Sequence, residues 1–132
     1  MLEHGIYSVH IEGNIIIGRV VGSHNEYDVL AATNAFKKAI ATFKGEPFGE
    51  IIDARDLDGV TPEGFAEIEK YNSWLVEHGI KARAFVVSNT VMPAIVKNRI
   101  KDLNGLKTKE FMDVEQAKIW LEQELANSSL CS

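Results

Sequence analysis

At 132 residues, with 45% hydrophobic and 25% charged side chains, the chain has the length of one ordinary domain and the balance of a globular protein, which excludes a disordered or fibrous chain. Nineteen acidic against fourteen basic side chains leave a net charge of −5, which weighs against a nucleic-acid partner because phosphate binding draws on an excess of positive charge. Residues 1–5 lack the basic stretch and apolar run of a secretory signal, and no apolar run approaches the ~20 residues of a membrane span, so a cytoplasmic protein is expected. The single cysteine, Cys131, has no partner for an intrachain disulfide. A single domain over residues 1–126 is expected, with 127–132 a flexible tail.

Two runs rich in β-branched residues, 6–11 and 14–21, flank Glu12-Gly13 and predict a β-hairpin whose second strand, nearly all apolar, is covered on both faces. Asn25 with Asp28 three residues on predicts a capped helix that buries Val29, Ala32, Phe36, Ala39, Ile40 and Phe43 and ends before Gly45 and Pro47. A strand over 48–53 and a polar loop over 54–60 follow. Thr61-Pro62-Glu63 then combines an N-cap, a proline at the first helical position and an acid in the first turn. That helix turns Phe65, Ile68, Leu75 and Val76 inward and stops at Gly79. A strand over 81–88, a helix from about Thr90 to Leu103 closed by Asn104-Gly105, and a short strand over 108–111 come next. Asp113-Val114-Glu115-Gln116 opens a last helix carrying Ala117, Trp120, Leu121 and Leu125. The order ββαβαβαβα predicts an α/β fold with a mixed, mostly parallel five-stranded sheet and about four helices.

The opening hairpin, the stretch from Ile51-Ile52-Asp53-Ala54-Arg55-Asp56-Leu57-Asp58 through Gly59-Val60-Thr61-Pro62-Glu63-Gly64-Phe65, and the ending Phe111-Met112-Asp113-Val114-Glu115-Gln116 resemble the STAS family and its SpoIIAA-like branch. The resemblance covers almost the whole chain and implies a bacterial, non-enzymatic regulatory module that works through protein contacts. In the antagonist members a serine followed by a glycine, at the start of the helix after the third strand, is phosphorylated by a kinase and switches binding through added charge. Gly64 matches that glycine, but Pro62 and Glu63 precede it and the serine is missing, so no working phospho-switch is expected. Thr61, the nearest hydroxyl, reads as the helix cap, and Glu63 as an acid favoured by the helix dipole.

Neither common phosphate-cradling loop nor a Gly-x-Ser-x-Gly elbow occurs, and His4, His10, His24 and His78 show no metal-ligand spacing. No catalytic residue, cofactor or metal is therefore expected. In parallel α/β sheets ligands sit beyond the carboxyl ends of the strands, where the expected loops 22–25, 53–56 and 88–90 converge. These make His24, Ser88, Asn89, Thr90 and Met92 the candidate pocket for a small apolar or anionic, lipid-like ligand, with Phe65 as further apolar lining. Residues 46–69 hold eight acids and one base, and 81–109 seven bases and one acid, an asymmetry suited to a protein partner or a second copy of the chain. Partner-binding candidates are Asp53, Arg55, Asp56, Asp58, Thr61 and Glu63, together with Tyr71 and Trp74; helical projection sets Trp74 well away from the apolar stripe with Tyr71 and His78 flanking it, an aromatic group either exposed for a partner or covered by a neighbouring segment of the chain.

Overall fold

Strand pairing in the computed structural model, which describes residues 5–88 and 106–130, follows chain order: β1 (Ile6–Glu12), β2 (Ile15–His24), β3 (Phe48–Val60), β4 (Ile80–Val86) and β5 (Thr108–Phe111) lie side by side as β1-β2-β3-β4-β5. The hairpin β1–β2 is antiparallel and every other pair is parallel. Three helices appear among the described residues: α1 (Glu26–Ala41), α2 (Pro62–Glu77) and α3 (Val114–Leu130). The helix expected from Thr90 to Leu103 lies outside the described residues.

Alternation along the central strands sorts the core into two layers. Ile16, Tyr71, Leu75, Phe36, Ile40 and Phe48 pack between one sheet face and α1 with α2. Ile15, Ile17, Ile51, Ala82, Ala84 and Val86 pack on the other face against Ala117 and Leu121 of α3. Burying an aliphatic side chain of this kind stabilises the fold by about 1.5–3 kcal/mol. Gly18 is what lets α1 sit so close, since a Cβ there would lie 2.7 Å from Phe36 Cζ.

Helix starts follow the local chemistry. Asn25 and Asp28 form a full capping box, and Gly64 N–H donates to Thr61 Oγ1 at 3.0 Å. At the start of α3 Gln116 N–H donates to Asp113 Oδ1 at 2.8 Å. α1 runs to Ala41 with Thr42 as its cap, and Lys44 and Gly45 turn the chain with positive φ.

Three expectations are corrected. The polar segment 54–60 is strand rather than loop, because β2 and β3 stay hydrogen-bonded past the end of β4, with Gly22 paired to Leu57, Ser23 to Gly59 and His24 to Val60 across two register shifts. The expected loop 22–25 is accordingly the end of β2 up to the Asn25 cap, and the expected loop 53–56 lies in the middle of β3. On α2, Val76 is 37% exposed and the inward stripe is Phe65, Tyr71, Asn72 and Leu75, with Ile68 half-buried. The tyrosine expected at the surface is thus a core residue.

Candidate functional site

A cavity of about 100 Å³ lies between the sheet and helices α1 and α2, towards the carboxyl ends of the parallel strands. Its walls are mainly apolar: Val20 from β2, Ala32 and Phe36 from α1, and Ile52, Leu57 and Val60 from β3. Polar groups on its lining are few: His24, Thr33, Tyr71 and Arg83. Thr33 Oγ1 donates to Val29 O at 2.8 Å, the usual resting bond of a helical threonine, and a His24 ring nitrogen lies 3.1 Å from Val21 O.

At the α2 side of this cavity stands a group of buried polar residues that the sequence reading did not single out. Glu50 on β3 and Arg83 on β4 are fully or almost fully buried, and pairing in the parallel register sets them side by side. Tyr71 Oη donates to Glu50 Oε2, Arg83 Nη1 lies 3.6 Å from Glu50 Oε1, and Arg83 Nη1 donates to Asn72 Oδ1 at 2.6 Å. Phe85 underlies the guanidinium with its ring centroid 4.9 Å from Cζ. Burial raises the Glu50 carboxyl above the ordinary carboxylate range against the pull of Arg83 and Tyr71, and it holds the Tyr71 phenol well above its usual value. Burial likewise lowers Arg83, against the opposing effect of Glu50. Arg83 Nε and Nη2 have no hydrogen-bond partner among the described residues.

Of the partner-binding candidates, Tyr71 lines the cavity, while Asp53 and Arg55 gather with Arg19 and Asp56 away from it. Asp53 is buried on the α3 face and receives Arg55 through two bonds, Nε at 2.9 Å and Nη2 at 2.8 Å. Arg55 holds its carboxyl below the ordinary range, and Asp53 in turn raises Arg55. Arg19 on the neighbouring strand donates to Asp56 at 2.5 Å. Arg55, Asp56, Asp58 and Glu63 are exposed, whereas the Thr61 hydroxyl is engaged as the α2 cap. The acidic block of 46–69 is therefore weaker at the surface than its sequence suggests, because Glu50 and Asp53 are sequestered beside Arg83 and Arg55.

Trp74 is half-buried and does not stand free. Its ring stacks between Tyr71, at 6.2 Å between centroids, and His78, at 3.9 Å, with Lys37 Nζ of α1 at 5.3 Å. Of the two described pocket candidates, His24 lines the cavity, while Ser88 is exposed and its Oγ lies 3.4 Å from Arg55 O. Phe65 packs with Val60, Ile68 and Phe85 outside the cavity lining. Asn89, Thr90 and Met92 lie outside the described residues. No cluster of histidine, cysteine and acidic side chains suited to a metal occurs among the described residues, and none of their helices is long and apolar enough to cross a membrane.

Comparison with known proteins assigns the fold. No protein-family profile and no curated protein matches the chain. Among solved structures it is similar to an uncharacterised protein of the DUF3478 family with a SpoIIAA-like fold from Shewanella loihica PV-4, with TM-score 0.69, 19% identity, and coverage of 92% of this chain and 96% of that one. It is also similar to an anti-sigma factor antagonist from Mycobacterium paratuberculosis, with TM-score 0.61, 13% identity, and coverage of 90% and 95%. The chain therefore has the SpoIIAA-like α/β fold, with the mixed five-stranded sheet expected from its sequence.

Proposed function

We propose that the chain is a non-enzymatic regulatory module of STAS type that acts through protein contacts at the far ends of β2 and β3, without a phospho-switch. The observation that carries this reading is the β3 extension. One stretch of strand presents Arg55, Asp56 and Asp58 to solvent beside Arg19, while its Ala54, Leu57 and Val60 line the cavity. The likeness in fold to an anti-sigma factor antagonist supports it. At the start of α2 the Thr61 hydroxyl is engaged as a cap and an acid already stands at position 63, which supports a constitutive rather than a phosphorylation-gated surface. The test is to place a photo-crosslinking amino acid at Arg55 or Asp58 in cells of the source organism and to identify what is captured. One protein species, lost when Arg19→Glu and Asp56→Arg are introduced together, is the expected result. Capture no different from that at a site on the exposed face of α3 would overturn the reading.

A second reading, that the chain binds a small molecule, is favoured by the cavity itself, because an apolar void with few polar groups at its wall is the usual form of a ligand site. Native mass spectrometry of the protein purified from its source, before and after denaturation, tests it. A small retained mass that disappears in Ala54→Phe supports this reading, and a bare chain at every ionisation energy counts against it.

A further inference from the structure

Arg83 carries the most specific information in the cavity. A guanidinium has five N–H donors in a rigid fork, and its Nε and Nη2 hydrogens point the same way along one edge, the edge that takes a carboxylate side-on. In this chain that pair is the part of Arg83 left without a partner among the described residues, while Nη1 is engaged by Asn72 and faces Glu50. Leaving buried donors unsatisfied is costly, the more so on a charged group, so a fold tolerates them where something else fills the place. Arg83 lines the cavity, its side chain is 3% exposed, and the rest of the wall is almost wholly apolar.

Size narrows the occupant. An apolar cavity of ~150 Å³ takes a benzene ring, so about 100 Å³ favours a short aliphatic chain over a ring or a long acyl tail. Charge sets a second condition. Glu50 already faces Arg83, and a second anion in the same dry site is costly unless one carboxyl is neutral. Glu50 is the group prepared for that, since burial already favours its protonated form and Tyr71 Oη remains beside it.

Resting on the reading of the cavity as a ligand site, we infer that it takes a short aliphatic monocarboxylate, the apolar end among Val20, Ala32, Phe36 and Ile52 and the carboxylate held side-on by Arg83 Nε and Nη2. Binding of the anion draws one proton from solvent onto Glu50, so the ligand replaces Glu50 as the counter-ion of Arg83. Among the described residues, the titratable or charged groups facing this site are Glu50 of β3, Arg83 of β4, Tyr71 of α2 and His24 of β2, with Thr33 the polar residue from α1 and Glu110 of β5 paired beside Phe85 on the same sheet face.

The probe is isovalerate, whose isobutyl group supplies four apolar carbons, with isovaleramide and 3-methylbutan-1-ol as neutral counterparts. Trp74, stacked on Tyr71, supplies a fluorescence readout alongside titration calorimetry. The expected result is saturable binding of isovalerate at least tenfold tighter than of either neutral compound. Above the pKa of Glu50, affinity falls tenfold per pH unit, as one-proton linkage requires. Glu50→Gln, which keeps an acceptor for Tyr71 and resembles the protonated acid, binds isovalerate at least as tightly and loses that pH dependence. Arg83→Lys, which keeps the charge and removes the fork, weakens isovalerate tenfold or more while the neutral compounds are little changed.

Neutral compounds binding as tightly as isovalerate would overturn the carboxylate assignment and leave the cavity reading standing. Saturable binding that survives Ala54→Phe would place the ligand elsewhere. No binding of any of the three compounds would overturn both. A pH dependence that persists in Glu50→Gln would remove Glu50 from the linkage.

Discussion

Replacing Glu50 by leucine removes the counter-charge of Arg83 and the acceptor of Tyr71 Oη in one step. Breaking one side of a buried ion pair costs about 3–5 kcal/mol, because the remaining charge stays out of water without compensation. That is a large share of the ~5–15 kcal/mol by which such domains are stable. With ~2.1 cal/mol/K per residue of unfolding entropy over 132 residues, the midpoint temperature should drop by roughly 11–18 °C. Replacing both charges, Glu50→Leu with Arg83→Met, leaves a neutral core of similar volume and should recover at least half of the loss, the remainder reflecting the orphaned Tyr71 hydroxyl and Asn72 amide. Urea unfolding of the wild type, both single variants and the double variant gives the coupling energy directly. A single-variant cost below ~1 kcal/mol, or a double variant that simply adds the two single costs, would refute the account of Glu50 and Arg83 as a mutually compensating buried pair.

Further outcomes follow from other sites. Asp53 has its carboxyl lowered in the folded state by Arg55, so its contribution is fully present above the unfolded value near 3.8 and is lost as pH falls through the folded value. Asp53→Asn should therefore be less stable than wild type by about 1 kcal/mol at neutral pH, Arg55 being part-exposed, and the gap should close on acidification below that value; a gap that widens there is the contrary result. Thr61→Ala removes the α2 cap and should cost about 1 kcal/mol in urea titration, whereas Thr61→Ser should cost little. Gly18→Ala drives a Cβ to 2.7 Å from Phe36 Cζ and should destabilise by about 1–3 kcal/mol, partly restored by Phe36→Leu; an unchanged midpoint would mean that α1 yields without strain.

Much of the architecture was legible because it rests on short-range rules. The Glu12-Gly13 turn, the Asn25–Asp28 capping box, the Thr61-Pro62 helix start and Asp113 each act within a few residues, and each stands where its local chemistry puts it. The β3 extension was not legible, since segment 54–60 is polar and owes its strand form to hydrogen bonds from β2, which lies more than thirty residues earlier. Tyr71 was misplaced, and Trp74 was left open between surface and cover, for a related reason. A helical projection around one apolar stripe cannot tell that α2 also packs against α1, which turns Tyr71 inward and covers part of Trp74.

The candidate site divides in the same way. His24, at the end of β2, was legible as a strand-end residue and does line the cavity. Glu50 and Arg83 were passed over, although one signal was present: each is the one charged residue within a short apolar run, Phe48-Gly49-Glu50-Ile51-Ile52 and Ala82-Arg83-Ala84-Phe85-Val86. Periodicity, caps and turns, read from the sequence alone, determine the described helices, the strands apart from the β3 extension, and the parallel βαβ sense of the sheet. Only the tertiary structure decided that Glu50, Tyr71, Asn72 and Arg83 meet, and that Arg83, beside an apolar cavity, keeps two donors without a partner among the described residues. These contacts span from 11 to 21 residues and more of chain and depend on register and helix docking, which no local pattern encodes.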